Sequence, residues 1–307
     1  MDIQRCPACG STEGLPIGSQ EINGFSVDTA SGNFVQQNYS IKECASCGLL
    51  YKTRTLSADD FAAYYEAVDF RKWEAPILYP TERAVLRSLE NLPANSKILD
   101  FGCSTGRLLG RLVNCHQCYG YEVNELAAAE AKDKGIRVLS SDELASTPHS
   151  FFDAVVMMDV FEHLSEPMPI LASLVAQIKP GSNLIIATGD GDYAACRRDP
   201  AQFWYFRVIE HVIMMTRRHA AWLTDRLAMD LRQWKNVSHY DSTWWRKSLQ
   251  HVQQFAYWQF RQGKPIIKSL LRLLPGVRKA ERWQVAPGFS AGKDHVIAVF
   301  VKPAASA

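Results

Sequence analysis

Between residues 97 and 188 the chain alternates five apolar runs with segments of helical character. The runs are KILDF (97–101), CYGYEV (118–123), IRVLS (136–140), FDAVVMMDV (152–160) and NLIIAT (183–188). RLLGRLV, NELAAAEAKDKG and PMPILASLVAQIKPG stand between them, the last with a helix stop signal at Gly181. A strand that is apolar almost throughout must be covered on both faces, and strands separated by helices run parallel. This pattern predicts an α/β fold with a doubly wound, mostly parallel sheet. Two later segments, LRQWKNVSHY and DHVIAVFVK, bring it to seven strands and close it at its edge. Residues 243–282, between those two, read as a helical, basic-aromatic insertion before the last strand.

The N-terminal part follows other rules. CPAC at 6–9 and CASC at 44–47 form two Cys-x-x-Cys knuckles, and the segment before the second alternates and turns like a β-hairpin. Cys6, Cys9, Cys44 and Cys47 make a soft four-sulfur set suited to structural zinc, with four unligated thiols as the other reading. Such a closed site leaves no open position for catalysis. Cys115 and Cys118 share the spacing but have no matching second pair, so they are read as coincidence. SADDFAAYYEA, capped by Ser57, and TERAVLRSLENLP, stopped by Pro93, are predicted helices. The domain reading is therefore a zinc module at 1–56, linking helices at 57–96, and a larger domain at 97–302.

With 47% hydrophobic and 21% charged residues the chain can bury a substantial core. A formal net charge of +2 disfavours nucleic acid as partner, although residues 261–282 are locally basic. The start has no apolar run after a basic segment, and no stretch reaches the roughly 18–20 apolar residues of a spanning helix. A soluble, cytoplasmic protein is expected. The 243–282 insertion is read as a helical cap and homodimer face, or as a peripheral contact with a membrane surface.

ILDFGCSTGRLL (98–109) is a strand, a glycine turn and a helix start, where the backbone can approach a ligand closely. Glu122, at the end of the next strand, is placed to hold a ribose diol. On these residues the chain resembles the class I S-adenosylmethionine-dependent methyltransferases over about residues 80–302. A dinucleotide oxidoreductase is the rival reading of the loop, but its phosphate signature is less well met. The resemblance implies that Asp100 and the backbone of Gly102, Cys103, Ser104 and Gly106 hold the methionine part of the cofactor. It implies that Glu122 holds the ribose, and that Asp142 of SSDEL, with Glu143 as competitor, lies by the adenine. Ser104 replaces the family's middle glycine and is expected to keep ordinary backbone angles. FDAVVMMDVFEHL matches the fourth family motif, putting Asp159 at the strand end facing the sulfonium.

Methyl transfer is an in-line displacement, and an alcohol acceptor must lose a proton, for which histidine is the natural base. Two Glu-His pairs qualify: Glu162–His163 in VFEHL and Glu210–His211 in VIEHV. The knuckles, CGLLY and IEHVIMMTRRHAAWL are similar to bacterial sugar and surface-glycan methyltransferases, including deoxysugar C-methyltransferases. Those carry Tyr-His-Glu-His before a similar helix; here Val208, Ile209, Glu210 and His211 align, and the large C-terminal domain of those relatives has no counterpart after the last strand. The resemblance favours O-methylation of a sugar hydroxyl in a nucleotide sugar or glycan precursor. His211 is the expected base, oriented by Glu210, with His163 as the competing base. His163 follows the fourth strand, and His211 belongs to a cap at 191–228 over the same edge, in which Tyr205, Trp204 and Arg207 are expected at the substrate. Arg197 and Arg198 would meet a diphosphate or form a solvated face. C-methylation of a keto-deoxysugar, methylation of an RNA base, and a fold that binds without transferring are the alternatives.

Overall fold

The computed structural model describes residues 1–20, 26–29, 32–35, 38–67, 74, 77–283, 286–287 and 292–304. In the N-terminal part lie β1 (Gly14–Gln20), β2 (Ser26–Thr29), β3 (Gly32–Val35), β4 (Tyr39–Cys44) and β5 (Leu50–Lys52). β2 and β3 form the hairpin; β1 pairs antiparallel with β4, and β4 with β5. Parts of the expected hairpin segment lie outside the described residues. Two helices follow, α1 (Ala58–Ala67) and α2 (Pro80–Glu90).

The larger domain begins with β6 (Lys97–Phe101), β7 (Gln117–Tyr121), α3 (Glu125–Asp133), β8 (Arg137–Leu139), α4 (Ser141–Ala145), β9 (Phe152–Met158) and α5 (Pro167–Gln177). It continues through β10 (Ile178–Gly189), α6 (Ala194–Arg198), α7 (Trp204–Arg207), β11 (Ile213–Met214), α8 (Arg217–Leu227) and β12 (Asp230–Val237). It closes with α9 (Trp244–Gln262), α10 (Pro265–Arg272) and β13 (His295–Val301). The main sheet has seven strands in the order β12-β13-β10-β9-β6-β7-β8, with β13 antiparallel to both neighbours.

Alternation along the buried strands sorts side chains onto two faces. Val155 and Met157 pack with α5 and α8, whereas Ala154 and Val156 pack with α2 and Ile98. Each fully buried aliphatic side chain contributes roughly 1.5–3 kcal/mol. Two local expectations differ from the structure. RLLGRLV forms turns and a single 3-10 turn at Leu109–Arg111 rather than an α-helix. α5 ends at Gln177, and Gly181 (φ +80°) lies in β10, where its N–H bonds to the Lys302 carbonyl at 2.8 Å.

The N-terminal sheet is not free-standing. β11, from the segment after the fifth parallel strand, pairs antiparallel with β5 (Ile213 opposite Tyr51, Met214 opposite Leu50). The buried Lys52 ammonium donates to the Val208 carbonyl at 2.7 Å, and Thr216 donates to the Gly48 carbonyl at 2.8 Å. Cys6, Cys44, Cys47 and Tyr51 share one core with Leu99, Val155 and Leu223. The module thus carries the cap and holds it against the sheet. α9 and α10 expose Trp244, Trp245, Leu249, Phe255, Ile266 and Leu270, the face expected to meet a second copy or a membrane surface. Among the described residues no helix is long and apolar enough to cross a membrane.

Candidate active site

The parallel strands end along one edge, and antiparallel β13 begins there, so residues far apart in sequence converge. At the end of β6, Asp100 is buried and its Oδ1 has no hydrogen-bond partner. Burial, then the charges of Glu122 and Glu82, push its carboxyl up to about 8. Gly102 (φ +83°) turns the chain where an added Cβ would collide with Val160, and an added Cβ at Gly106 (φ +74°) would meet Ile136 Cδ1 at 2.5 Å. Ser104 departs from expectation: its φ is +46°, the left-handed region that favours glycine. Its N–H donates to Glu122 Oε2 at 2.9 Å while Glu122 Oε1 accepts from Asn124 N at 2.8 Å, so the acid of the second strand fixes the loop. Cys103 is buried and its Sγ faces Gly120, leaving no room for a side chain there. Glu143 closes a capping box with Ser140, whereas Asp142 beside it is exposed.

A second group gathers beyond β9 and β10. Glu162 is fully buried; Oε1 accepts from Tyr205 Oη, and Oε2 from Thr188 Oγ1 at 2.8 Å. Burial and Asp159 push its carboxyl up to about 8 against those two donors. Tyr205 Oη also accepts from Gly189 N at 2.9 Å. His211 Nδ1 lies 2.8 Å from the Tyr205 carbonyl oxygen. A carbonyl only accepts, so Nδ1 carries the hydrogen and Nε2 keeps the lone pair. Burial, then His163 and Lys52, hold His211 well below the usual histidine range, so the ring is neutral. His163 packs edge-on to it, ring centroids 4.8 Å apart, and burial lowers its own pKa to about 4.

Glu210 does not orient His211, contrary to expectation. It is buried toward Lys52 and accepts a hydrogen bond from Tyr64, while the Tyr205 carbonyl holds the imidazole. Burial pushes Lys52 down to about 7 against the pull of Glu210. The helix containing Tyr64 and Tyr65 covers the site, with the Tyr65 ring 6.1 Å from His163.

A glycine-turn strand edge thus lies beside a buried imidazole, and the family comparison decides its class. A model described as "Methyltransferase domain" matches residues 69–233, more than half of the 307 residues. The chain belongs to the methyltransferase family. Its sheet order, with the antiparallel β13 between β10 and β12, is the class I, S-adenosylmethionine-dependent arrangement that the sequence led us to expect. A tRNA (carboxymethyluridine(34)-5-O)-methyltransferase of Arabidopsis thaliana is 28% identical over 181 residues, covering 57% of this chain and 41% of the relative. A ubiquinone biosynthesis O-methyltransferase of Xanthomonas axonopodis pv. citri is 31% identical over 121 residues, 36% of this chain and 47% of the relative. The chain therefore spans less than half the length of these curated relatives. A TehB-like methyltransferase of Corynebacterium glutamicum is a solved structure at 16% identity, with 80% and 97% coverage and a TM-score of 0.43.

The methyltransferase brings most of the anticipated residues to one edge. Asp100, the 102–106 loop, Glu122 and Asp159 lie together at the ends of β6, β7 and β9, where the orphaned Asp100 acceptor and the glycine cradle fit S-adenosylmethionine. Asp159 itself has φ +50°, an uncommon conformation that places its carboxylate at the strand end. Tyr205 is wall rather than open contact, with its hydroxyl spent on Glu162 and Gly189 N. Trp204 Nε1 donates to Asp294 Oδ2 at 3.0 Å, and Arg207 is half-buried. Arg197 is held by Glu43 at 2.7 Å and Asp192 at 2.6 Å, whereas the exposed Arg198 lies 5.2 Å over the Trp258 ring. Sequence reasoning missed Tyr64, Tyr65, Thr188, His239, Asp294 and His295. SHY and DHV, at the ends of predicted strands on the ligand edge, were the available signal for the last group.

The four knuckle sulfurs lie within 4.8 Å of one another, Cys6 to Cys47 at 3.5 Å and Cys9 to Cys44 at 3.4 Å. Zinc–sulfur bonds of about 2.3 Å in a tetrahedron would set sulfurs roughly 3.8 Å apart, so the set fits that ion. Cys115 is exposed and Cys118 faces the Leu109 carbonyl, and neither joins a metal-ligand group among the described residues.

Proposed function

We propose that this methyltransferase acts on a hydroxyl oxygen of a sugar or glycan precursor, with His211 as the general base. The observation that carries the reading is the hydrogen bond from His211 Nδ1 to the Tyr205 carbonyl, which leaves Nε2 as a neutral acceptor beside the cofactor edge. Both curated relatives described above are named O-methyltransferases, in agreement with oxygen as the acceptor. The Tyr65 ring beside His163 and the half-buried Trp204 ring suit the apolar face of a sugar.

Asp100, the 102–106 backbone and Glu122 would hold S-adenosylmethionine, with Asp142 at its adenine. Bound there, the cofactor would supply a sulfonium methyl group for transfer, leaving as the neutral thioether. His211 Nε2 would take the proton that the acceptor hydroxyl gives up. Tyr205 and Glu162 keep the imidazole in place and exclude water. Structural zinc at Cys6, Cys9, Cys44 and Cys47 would hold the module that carries the cap.

The test is transfer from labelled S-adenosylmethionine to a panel of nucleotide sugars, with the product analysed for a new methyl ether. Loss of transfer in His211→Ala with cofactor binding retained by calorimetry is the expected result. Methyl on carbon, methyl on RNA alone, or unchanged turnover in the variant would overturn the reading.

A further inference from the structure

We propose that Asp159, His239 and His295 form a second metal site that binds one divalent cation at the mouth of the active site. The three residues come from different elements. Asp159 follows β9, His239 follows β12, and His295 opens β13. One ligand atom from each lies within 4.8 Å of the others, and His295 Nε2 is 3.7 Å from Asp159 Oδ1. An ion about 2.1 Å from each atom would hold a pair roughly 3.0–3.6 Å apart, so the His295–Asp159 pair is already near that spacing and the cluster as a whole would draw in around the ion.

The hydrogen-bond state of these atoms points to a ligand. Asp159 Oδ1, His239 Nδ1 and His295 Nε2 are all buried, and none has a hydrogen-bond partner. A buried polar atom without a partner costs about 1–3 kcal/mol, and each of the three clustered residues carries one. At 3.7 Å the His295–Asp159 pair is too long for a hydrogen bond. His239 and His295 stack with centroids 4.4 Å apart, an arrangement that opposes two imidazolium charges.

The surroundings are those of a ligated histidine. His295 Nδ1 lies 3.0 Å from Asp294 Oδ1, and a carboxylate accepts, so Nε2 presents its lone pair. Trp204 holds the other Asp294 oxygen at 3.0 Å. Tyr79 stacks on His239 at 4.7 Å, fixing the second ring. The His295 side chain is 1% exposed but that of Asp159 is 35% exposed, so the ion keeps an open side. Two imidazoles and one carboxylate suit zinc, iron(II), cobalt(II) or nickel(II) better than magnesium or calcium. Coordination of the acceptor hydroxyl at the open positions would ease loss of its proton. That use rests on the O-methylation reading; the site itself does not.

Cobalt(II) titration of the whole protein, followed by absorption spectroscopy, tests the site directly. Thiolate-bound cobalt shows sulfur-to-metal charge-transfer bands, so the knuckle ion is read separately from one bound by nitrogen and oxygen. The expected result is one further cobalt(II) per chain with visible d–d bands and no added thiolate bands. His239→Gln and Asp159→Asn, on different elements, should each weaken that ion by at least about tenfold, leaving the thiolate signal unchanged. Cobalt signals from thiolate alone, or unchanged affinity in both variants, would overturn the proposal. Because the readout is binding, a failed metal site remains distinct from a failed acceptor assignment, which the methyl-ether assay reads.

Discussion

Two clusters of two histidines and one carboxylate flank the Tyr205 ring, whose centroid is 4.1 Å from His211 and 5.3 Å from His295. In the Glu162–His163–His211 cluster, both Glu162 oxygens and His211 Nδ1 are hydrogen-bonded to the protein, while His163 Nδ1 is buried without a partner. In the Asp159–His239–His295 cluster the three converging atoms have no protein partner. The difference teaches that composition alone does not define a metal site. A carboxylate saturated by two hydroxyls holds its neighbours in shape, whereas unsatisfied ligand atoms around one point await an ion. Base chemistry is assigned to the first cluster and cation binding to the second.

The largest expected effect concerns the first cluster. His211→Ala should reduce methyl transfer by about 10²–10⁴-fold, measured with labelled cofactor, while calorimetric cofactor affinity is unchanged; equal loss of both would assign His211 to the fold. Next, Asp294→Asn removes the carboxylate behind His295 and should weaken the second ion by about 10–100-fold. The cobalt d–d bands report it, and no change would break the link between Asp294 and metal affinity. Tyr205→Phe should then lower stability by about 1–3 kcal/mol, read by chemical denaturation, because it strips Glu162 of a donor and Gly189 N of its acceptor. His239→Gln breaks no hydrogen bond at its Nδ1, so a larger loss there than in Tyr205→Phe would reverse the contrast between the clusters.

A separate effect is a pH dependence at Asp100. Its carboxyl is raised from 3.8 to about 8 in the folded chain, so the folded state binds a proton more tightly than the unfolded one. That contribution is fully present below pH 3.8 and is lost as pH rises through about 8. Asp100→Asn carries no such proton, so its thermal midpoint relative to the parent should climb between about pH 4 and 8, with S-adenosylmethionine affinity reduced. A constant difference across that range would show that the carboxyl is not perturbed. Lys52 acts with the opposite sign: its depressed folded pKa of about 7 makes stability rise from there toward 10.5. The measurement is therefore a difference between variant and parent.

Strand alternation was legible because burial on both faces writes itself into each short run, and six of the seven main strands begin within a few residues of the expected runs, β10 beginning earlier at Ile178. The glycine loop was legible for a similar reason, although Ser104 shows that a serine tolerates φ +46° when Glu122 accepts its N–H. The RLLGRLV helix was misjudged because apolar spacing does not report the tight turns after Gly106. Glu210 was misjudged because its neighbour in sequence, His211, faces the Tyr205 carbonyl, while Glu210 itself faces Lys52 and Tyr64.

The sequence by itself determined what depends on local periodicity and spacing: the doubly wound sheet, the cofactor loop and the two cysteine knuckles. Only the tertiary structure decided that β11 joins the N-terminal sheet, so that the module carries the cap. It alone brought Asp159, His239 and His295 together from three strand ends and left their ligand atoms without partners. The reason is physical. Periodicity records which side of an element is buried, but hydrogen-bond satisfaction depends on atoms that meet only once the chain has folded.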